Sequence, residues 1–222
     1  LSANRLVTAL LVKDEKDKYL ERVLRRCLEF SDEVIVLDDG SDDGSDRLAW
    51  GLGCSLHTRK ETGMWGNEAP ARAELWDLGS KAAGDGWLLI CDADMLLHGD
   101  PRPFLYTTVH NAWAFVLYDL WNDERYYRCD GYWQGHRYPR PWLFRPAYME
   151  IDTPIWPAKG IHTGHCPTNA VVRAGVIDFE SLSWQHLAYL NREARLQKRV
   201  KYLEQAYQLS EFERLHAESV GD

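Results

Sequence analysis

The stretch Trp87 to Leu97, W-L-L-I-C-D-A-D-M-L-L, runs apolar, meets two aspartates separated by one small residue, and turns apolar again. Its opening run, Trp87 to Cys91, is too short for an ordinary helix. It follows the breaker Ala83-Gly84-Asp85-Gly86 and is apolar on both faces, as the central strands of a parallel sheet are. Asp92 and Asp94 therefore leave the carboxyl end of a buried strand. Because strand side chains alternate, both carboxylates are expected to face one crevice, with Ala93 leaving room for a ligand. Such a pair calls for a cation. Two carboxylates ~5 Å apart at an effective dielectric of ~20 repel by roughly 3 kcal/mol, which a divalent ion sharing their oxygens more than cancels. For an isolated D-x-D the plain alternative is a solvated strand-end turn, so the rest of the chain has to decide.

The same grammar recurs upstream. Leu6 to Val12 reads as a buried strand closed by the polar cluster Lys13-Asp14-Glu15-Lys16-Asp17. Leu20, Val23, Leu24, Cys27 and Leu28 then form a helical stripe. Glu33 to Leu37 is a second buried strand, running directly into D-D-G-S-D-D-G-S-D from Asp38 to Asp46. A helix from about Ser45, a short strand around Cys54 to Thr58, and a helix over Ala69 to Lys81 with Pro70 in its first turn follow. Strands alternating with helices predict an α/β fold with a mostly parallel open sheet flanked by helices, whose ligands bind beyond the carboxyl ends of the strands. Three acidic clusters converge there.

Beyond Gly99 the period weakens. Trp113 to Leu120 reads as a strand, and Trp142 to Phe144, Ala170 to Ile177 and Phe179 to Ser183 as weaker ones. Asn191 to His216 reads as a C-terminal amphipathic helix packed on the outside. We expect one domain: a nucleotide-binding half to about residue 100, an acceptor or sugar half over 101–190, and the helix over 191–216.

Charge and composition narrow the partners. With 26 Lys and Arg against 34 Asp and Glu the net charge is −8, and no long basic run appears, which argues against nucleic acid. No stretch approaches the ~20 apolar residues of a membrane span, and nothing at the start reads as a secretory leader. The five cysteines are odd in number and contain no C-x-x-C pair, so a reduced, cytoplasmic thiol set is expected. Aromatic residues crowd between Trp113 and Trp156. There Trp121, Tyr132 and Trp133 either stack on a sugar or fill a core.

Taken in order, V-T-A-L-L-V-K-D-E, F-S-D-E-V-I-V-L-D-D-G-S-D-D-G-S, R-A-E-L-W and G-W-L-L-I-C-D-A-D resemble the family-2 type nucleotide-sugar glycosyltransferases of the GT-A fold, over about Leu6 to Leu97. The resemblance implies a nucleotide site built from the turn after the first strand, Leu11, Val12, Lys13 and Glu15, with Asp39 on the base and Arg72 reaching the nucleotide. At Asp14 the chain departs from the asparagine usual in the family. The resemblance also makes Asp94 the direct ligand of Mn²⁺ or Mg²⁺, with Asp92 and Ala93 beside the ribose or the metal's waters.

His186, in H-L-A-Y-L-N-R-E-A-R-L-Q-K-R-V-K-Y, resembles the histidine of the H-x-x-Y…R…K…Y ending of related enzymes and is expected as a third metal ligand. His162, in I-H-T-G-H-C-P, is its rival. An inverting enzyme of this kind needs a carboxylate base for its acceptor, often in a Glu-Asp pair that this chain lacks; Asp123 and Asp130 are the candidates. The implied donor is a nucleotide-sugar, a UDP-sugar ahead of GDP-mannose or a deoxythymidine-diphosphate sugar. The acceptor is a glycan, a lipid-linked group or a small molecule.

Two other readings stay open. A sugar nucleotidyltransferase wants a glycine-rich phosphate loop after the first strand, and Lys13-Asp14-Glu15-Lys16 has no glycine. A non-catalytic nucleotide- or glycan-binding module is the other.

Overall fold

The computed structural model describes residues 3–107, 109–157, 163–204 and 219–220. The chain order is β1 (Leu6–Val12), α1 (Leu20–Phe30), β2 (Glu33–Asp38), α2 (Ser45–Gly51), β3 (Ser55–Thr58), α3 (Ala69–Ala83), β4 (Trp87–Asp92) and β5 (Met95–Gly99). It continues with β6 (Ala112–Trp121), β7 (Asp123–Tyr127), β8 (Arg140–Phe144), β9 (Ala174–Val176), β10 (Leu182–His186) and α4 (Arg192–Glu204). The strands form one ten-stranded sheet ordered β3-β2-β1-β4-β8-β6-β10-β5, with β7 and β9 also paired to β6.

All seven residues of β1 are buried, and their alternation divides the core. Leu6, Leu10 and Val12 pack in one apolar cluster with Leu20, Val23, Leu24 and Cys27 of α1. Val7, Ala9 and Leu11 pack in another with Ala71, Leu75 and Trp76 of α3. A strand covered by helices on both faces has to be apolar at every position, which is why β1, β2 and β4 read as unbroken runs. Gly79 lets α3 approach this closely, since a Cβ there would lie 2.5 Å from Leu88 Cδ1.

β1 pairs in parallel with both β2 and β4, opposing Val12 to Asp38 and Leu11 to Asp92, so the acidic strand ends open side by side. The mostly parallel expectation holds for this half. Beyond β4 the sheet is mixed: β8 runs antiparallel to β4 and β6, and β5 antiparallel to β10, while β6 and β10 are parallel.

That mixed half carries the decisive register. His186 of β10 stands opposite Asp119 of β6 on one side and Met95 of β5 on the other. The ladder continues through Leu187 N–H, which donates to Asp94 O at 2.8 Å. A residue near the end of the chain is thereby tied to the turn that follows β4. No helix among the described residues is long and apolar enough to cross a membrane.

Candidate active site

Asp94 sits in the two-residue turn between β4 and β5, and that reversal sends its carboxylate towards β10. His186 Nε2 lies 3.5 Å from Asp94 Oδ2, and His186 Nδ1 lies 2.8 Å from Asp119 Oδ1. Lys198 of α4 places its Nζ 3.5 Å from the same Asp94 oxygen. Burial alone raises the Asp94 pKa, but the Lys198 ammonium and the His186 ring outweigh it and hold the carboxyl well below its ordinary range. For His186, burial favours the neutral ring, yet Asp94 and Asp119 prevail and push its pKa up to about 9.

This donor set suits a divalent cation. An anionic oxygen and an imidazole nitrogen face each other, while the ring's other nitrogen is held by a carboxylate, the arrangement that fixes metal-ligating histidines. Among the described residues no three His, Cys, Asp or Glu side chains converge as a complete metal site, so other ligands would have to come from elsewhere. His162, the rival ligand, lies outside the described residues.

Asp92 looks the other way. Its Oδ1 accepts from Arg72 Nη2 at 2.7 Å and lies 3.6 Å from His165 Nε2. Arg72 also donates from Nε and Nη2 to Glu68 Oε1 at 2.9 and 2.5 Å, and Glu68 Oε2 accepts from the Thr163 backbone N–H and hydroxyl. Burial again raises the Asp92 pKa, but Arg72 and then His165 carry it far below the usual carboxylate range. The two aspartates thus have separate partners within the protein, because β4 ends at Asp92 and Asp94 belongs to a turn. Arg72 Nη1 is buried without a partner, leaving one donor edge for a ligand oxygen.

The acidic run after β2 braces its own loop. Asp14, with φ +55°, accepts from Asp42 N–H, while Ser41, Asp43 and Ser45 side chains accept from the N–H groups of Asp14, Lys16 and Glu15 respectively. The loop therefore laces the β1–α1 turn to β2. Asp39, the expected base contact, is 1% exposed. It pairs with Arg59 through Oδ1 and accepts from the N–H groups of Gly63 and Met64 at 2.9 and 2.8 Å through Oδ2, so both oxygens are engaged within the protein. Its neighbour Asp38 has a buried Oδ1 without a partner.

Leu11, Val12 and Ala93 are buried in the core, so any contact they make with a ligand is through the backbone. Lys13 binds Gly40 O and lies near Asp14. Burial raises the Glu15 pKa, with Asp94 adding to the effect and Lys18 opposing it.

The remaining candidates divide. Asp123 and Asp130, expected as acceptor bases, are held by Arg125 and Arg128 on and just beyond the outer strand β7, and neither pairs with a residue around Asp94. Trp133 is buried against Tyr189, with ring centroids 4.7 Å apart. Trp121 stacks on Tyr189 and carries the Arg128 and Arg195 guanidinium groups at 4.6 and 4.5 Å from its ring. Both tryptophans therefore build a cluster that backs His186 through Tyr189; Trp133 is buried in it, while Trp121 is half-buried and lines a surface cavity with Asp123, Tyr127 and Asp130. Tyr132 is exposed at 38%. Asp119 is among the acids of the aromatic stretch and Lys198 lies within the H-x-x-Y…R…K…Y ending, but the sequence assigns neither of them to the surroundings of Asp94.

No family model and no curated protein matches the sequence. Solved structures do. Residues 1–349 of Staphylococcus aureus TarS in complex with UDP match at 12% identity and a TM-score of 0.56, covering 98% of this chain and 69% of that one. A longer TarS structure matches at 13% identity and a TM-score of 0.55, covering 97% of this chain, which thus spans only 42% of that protein's length. A glucosyl-3-phosphoglycerate synthase from Mycobacterium tuberculosis, solved with Mn²⁺ and UDP-glucose, overlaps 51% of this chain and 44% of that one at 20% identity and a TM-score of 0.39. The likeness to TarS establishes the GT-A fold for this chain.

Proposed function

We propose that this GT-A chain is a glycosyltransferase that moves a sugar from a nucleotide-diphosphate donor, a UDP-sugar, to an acceptor hydroxyl, using Mn²⁺ or Mg²⁺. The observation that carries the reading is the Asp94–His186–Asp119 arrangement, assembled from strands β6 and β10 and the β4–β5 turn at the mouth of the sheet. In the reaction the acceptor oxygen bonds to the sugar's anomeric carbon, the bond from that carbon to the diphosphate breaks, and the acceptor proton passes to a base. Charge accumulates on the leaving diphosphate, and a divalent ion neutralises it when bound.

Asp94 and His186 Nε2 would hold that ion, and Asp119 keeps the ring turned towards it. Arg72, locked by Glu68 and Asp92, offers its buried Nη1 to the nucleotide without freedom to swing away. The Asp38 Oδ1 between β1 and the loop is an acceptor of the kind a nucleobase N–H requires. Complexed UDP in TarS supports the choice of donor base. The acceptor is a glycan, lipid-linked or small-molecule hydroxyl compound.

The test is UDP release from a panel of UDP-sugars with Mn²⁺ present. Slow donor hydrolysis by the wild type, absent in Asp94→Asn at unchanged melting temperature, is expected. Equal turnover by the variant would remove Asp94 from the chemistry.

A further inference from the structure

Lys198 stands where a divalent ion would act. Arg195 pins α4 to the sheet: it is 2% exposed, donates to Tyr189 O at 2.7 Å and lies over Trp121. Three residues on, Lys198 falls on the same helix face. Its ammonium lies 3.5 Å from Asp94 Oδ2 and 4.8 Å from the centre of the Tyr189 ring. Asp94 thus has the Lys198 ammonium on one side and the His186 ring on the other, with Asp119 behind the ring.

From this geometry, and resting on the glycosyltransferase reading above, we infer that Lys198 is a diphosphate ligand that occupies the cation position beside Asp94 until the divalent ion arrives. Charge dictates the exchange. A divalent ion bound beside Asp94 would outcompete the single charge of the Lys198 ammonium and repel it, leaving both positive charges at the mouth of the sheet. An anionic diphosphate is the complement of that charge. Lys198 has a flexible four-carbon stem on a pinned helix, so its ammonium can leave the Asp94 oxygen while staying at the mouth of the sheet. The inference makes two opposite demands on one side chain: it hinders metal binding in the absence of nucleotide and aids nucleotide binding in the presence of metal. A purely structural ion pair would do neither.

Calorimetric titration of Mn²⁺ into wild type, Lys198→Met and Lys198→Gln without nucleotide, then of UDP at saturating Mn²⁺, separates these demands. Both variants are expected to bind Mn²⁺ about fivefold more tightly, the scale of a partly exposed ion pair. Both are expected to bind UDP about tenfold or more weakly, the scale of a lost charge-assisted hydrogen bond. Unchanged or weaker Mn²⁺ binding, or unchanged UDP binding, overturns the inference. Asp94→Asn tells the two levels apart. If it loses Mn²⁺ while the Lys198 variants match the wild type, only the role of Lys198 fails; if the wild type binds neither Mn²⁺ nor UDP, the glycosyltransferase reading fails with it.

Discussion

Asp119 Oδ1 lies 2.8 Å from His186 Nδ1, a contact made by strands β6 and β10 that are 67 residues apart in sequence. It fixes which ring nitrogen faces Asp94. Asp119→Ala is therefore expected to weaken Mn²⁺ binding about tenfold or more, the usual cost of removing a carboxylate behind a ligating histidine. Mn²⁺ titration followed by electron paramagnetic resonance checks this, and an unchanged affinity would separate Asp119 from the metal.

Asp39 is expected to matter for folding. Replacing it with Ala leaves the buried Arg59 guanidinium without its closest partner and strands two backbone N–H groups, so a loss of about 3–5 kcal/mol is expected. Urea unfolding measures it. A stable Asp39→Ala protein with selectively weakened UDP binding would return Asp39 to the base.

The aromatic stretch is expected to split by burial. Trp133, packed on Tyr189 and Trp121, should cost about 3–5 kcal/mol when cut to Ala. Exposed Tyr132 should change stability by no more than about 0.5 kcal/mol. Comparable losses at both positions in thermal melts would contradict this division by burial.

A pH dependence follows from Asp32, which accepts from Leu6 N–H at 2.7 Å and pairs with Arg102 at 3.0 Å. Burial raises its pKa, but Arg102 and the Leu6 N–H more than offset this, so the folded value lies below the ordinary one. A depressed carboxylate stabilises the fold above its unfolded pKa of ~3.9 and loses that contribution as pH falls through the folded value. Because Asp32 is more than a third exposed, the effect is under about 1 kcal/mol. Asp32→Asn should thus melt slightly lower than wild type at pH 7 and converge with it as pH falls through the folded value of Asp32. A gap that widens in acid would contradict the assignment.

Much of the first half was legible because a strand buried on both faces has no choice of composition. Leu6–Val12 has the bounds its apolar run predicts, and the stripe from Leu20 to Leu28 became α1. β5 was hidden because Met95–Gly99 continues the apolar run of β4 after only a two-residue turn. β7 was hidden because an exposed edge strand, D-E-R-Y-Y, has no apolar period; its one signal was the turn-forming Asn122, at φ +63°. Pairings such as Arg59 with Asp39 and Asp119 with His186 depend on which strands become neighbours, and no local pattern encodes that. Asp39 shows the consequence: its buried pairing with Arg59 depends on a residue 20 positions away, which the acidic run itself does not announce.

The central claim, a nucleoside-diphosphate site completed by a divalent ion at Asp94 and His186, is tested most directly by calorimetric titration of UDP in Mn²⁺ and, separately, in excess chelator. The account expects measurable affinity with Mn²⁺, at least about tenfold weaker binding in chelator, and the chelator value for Asp94→Asn in either buffer. Equal UDP affinity in Mn²⁺ and chelator, for wild type and variant alike, would contradict it.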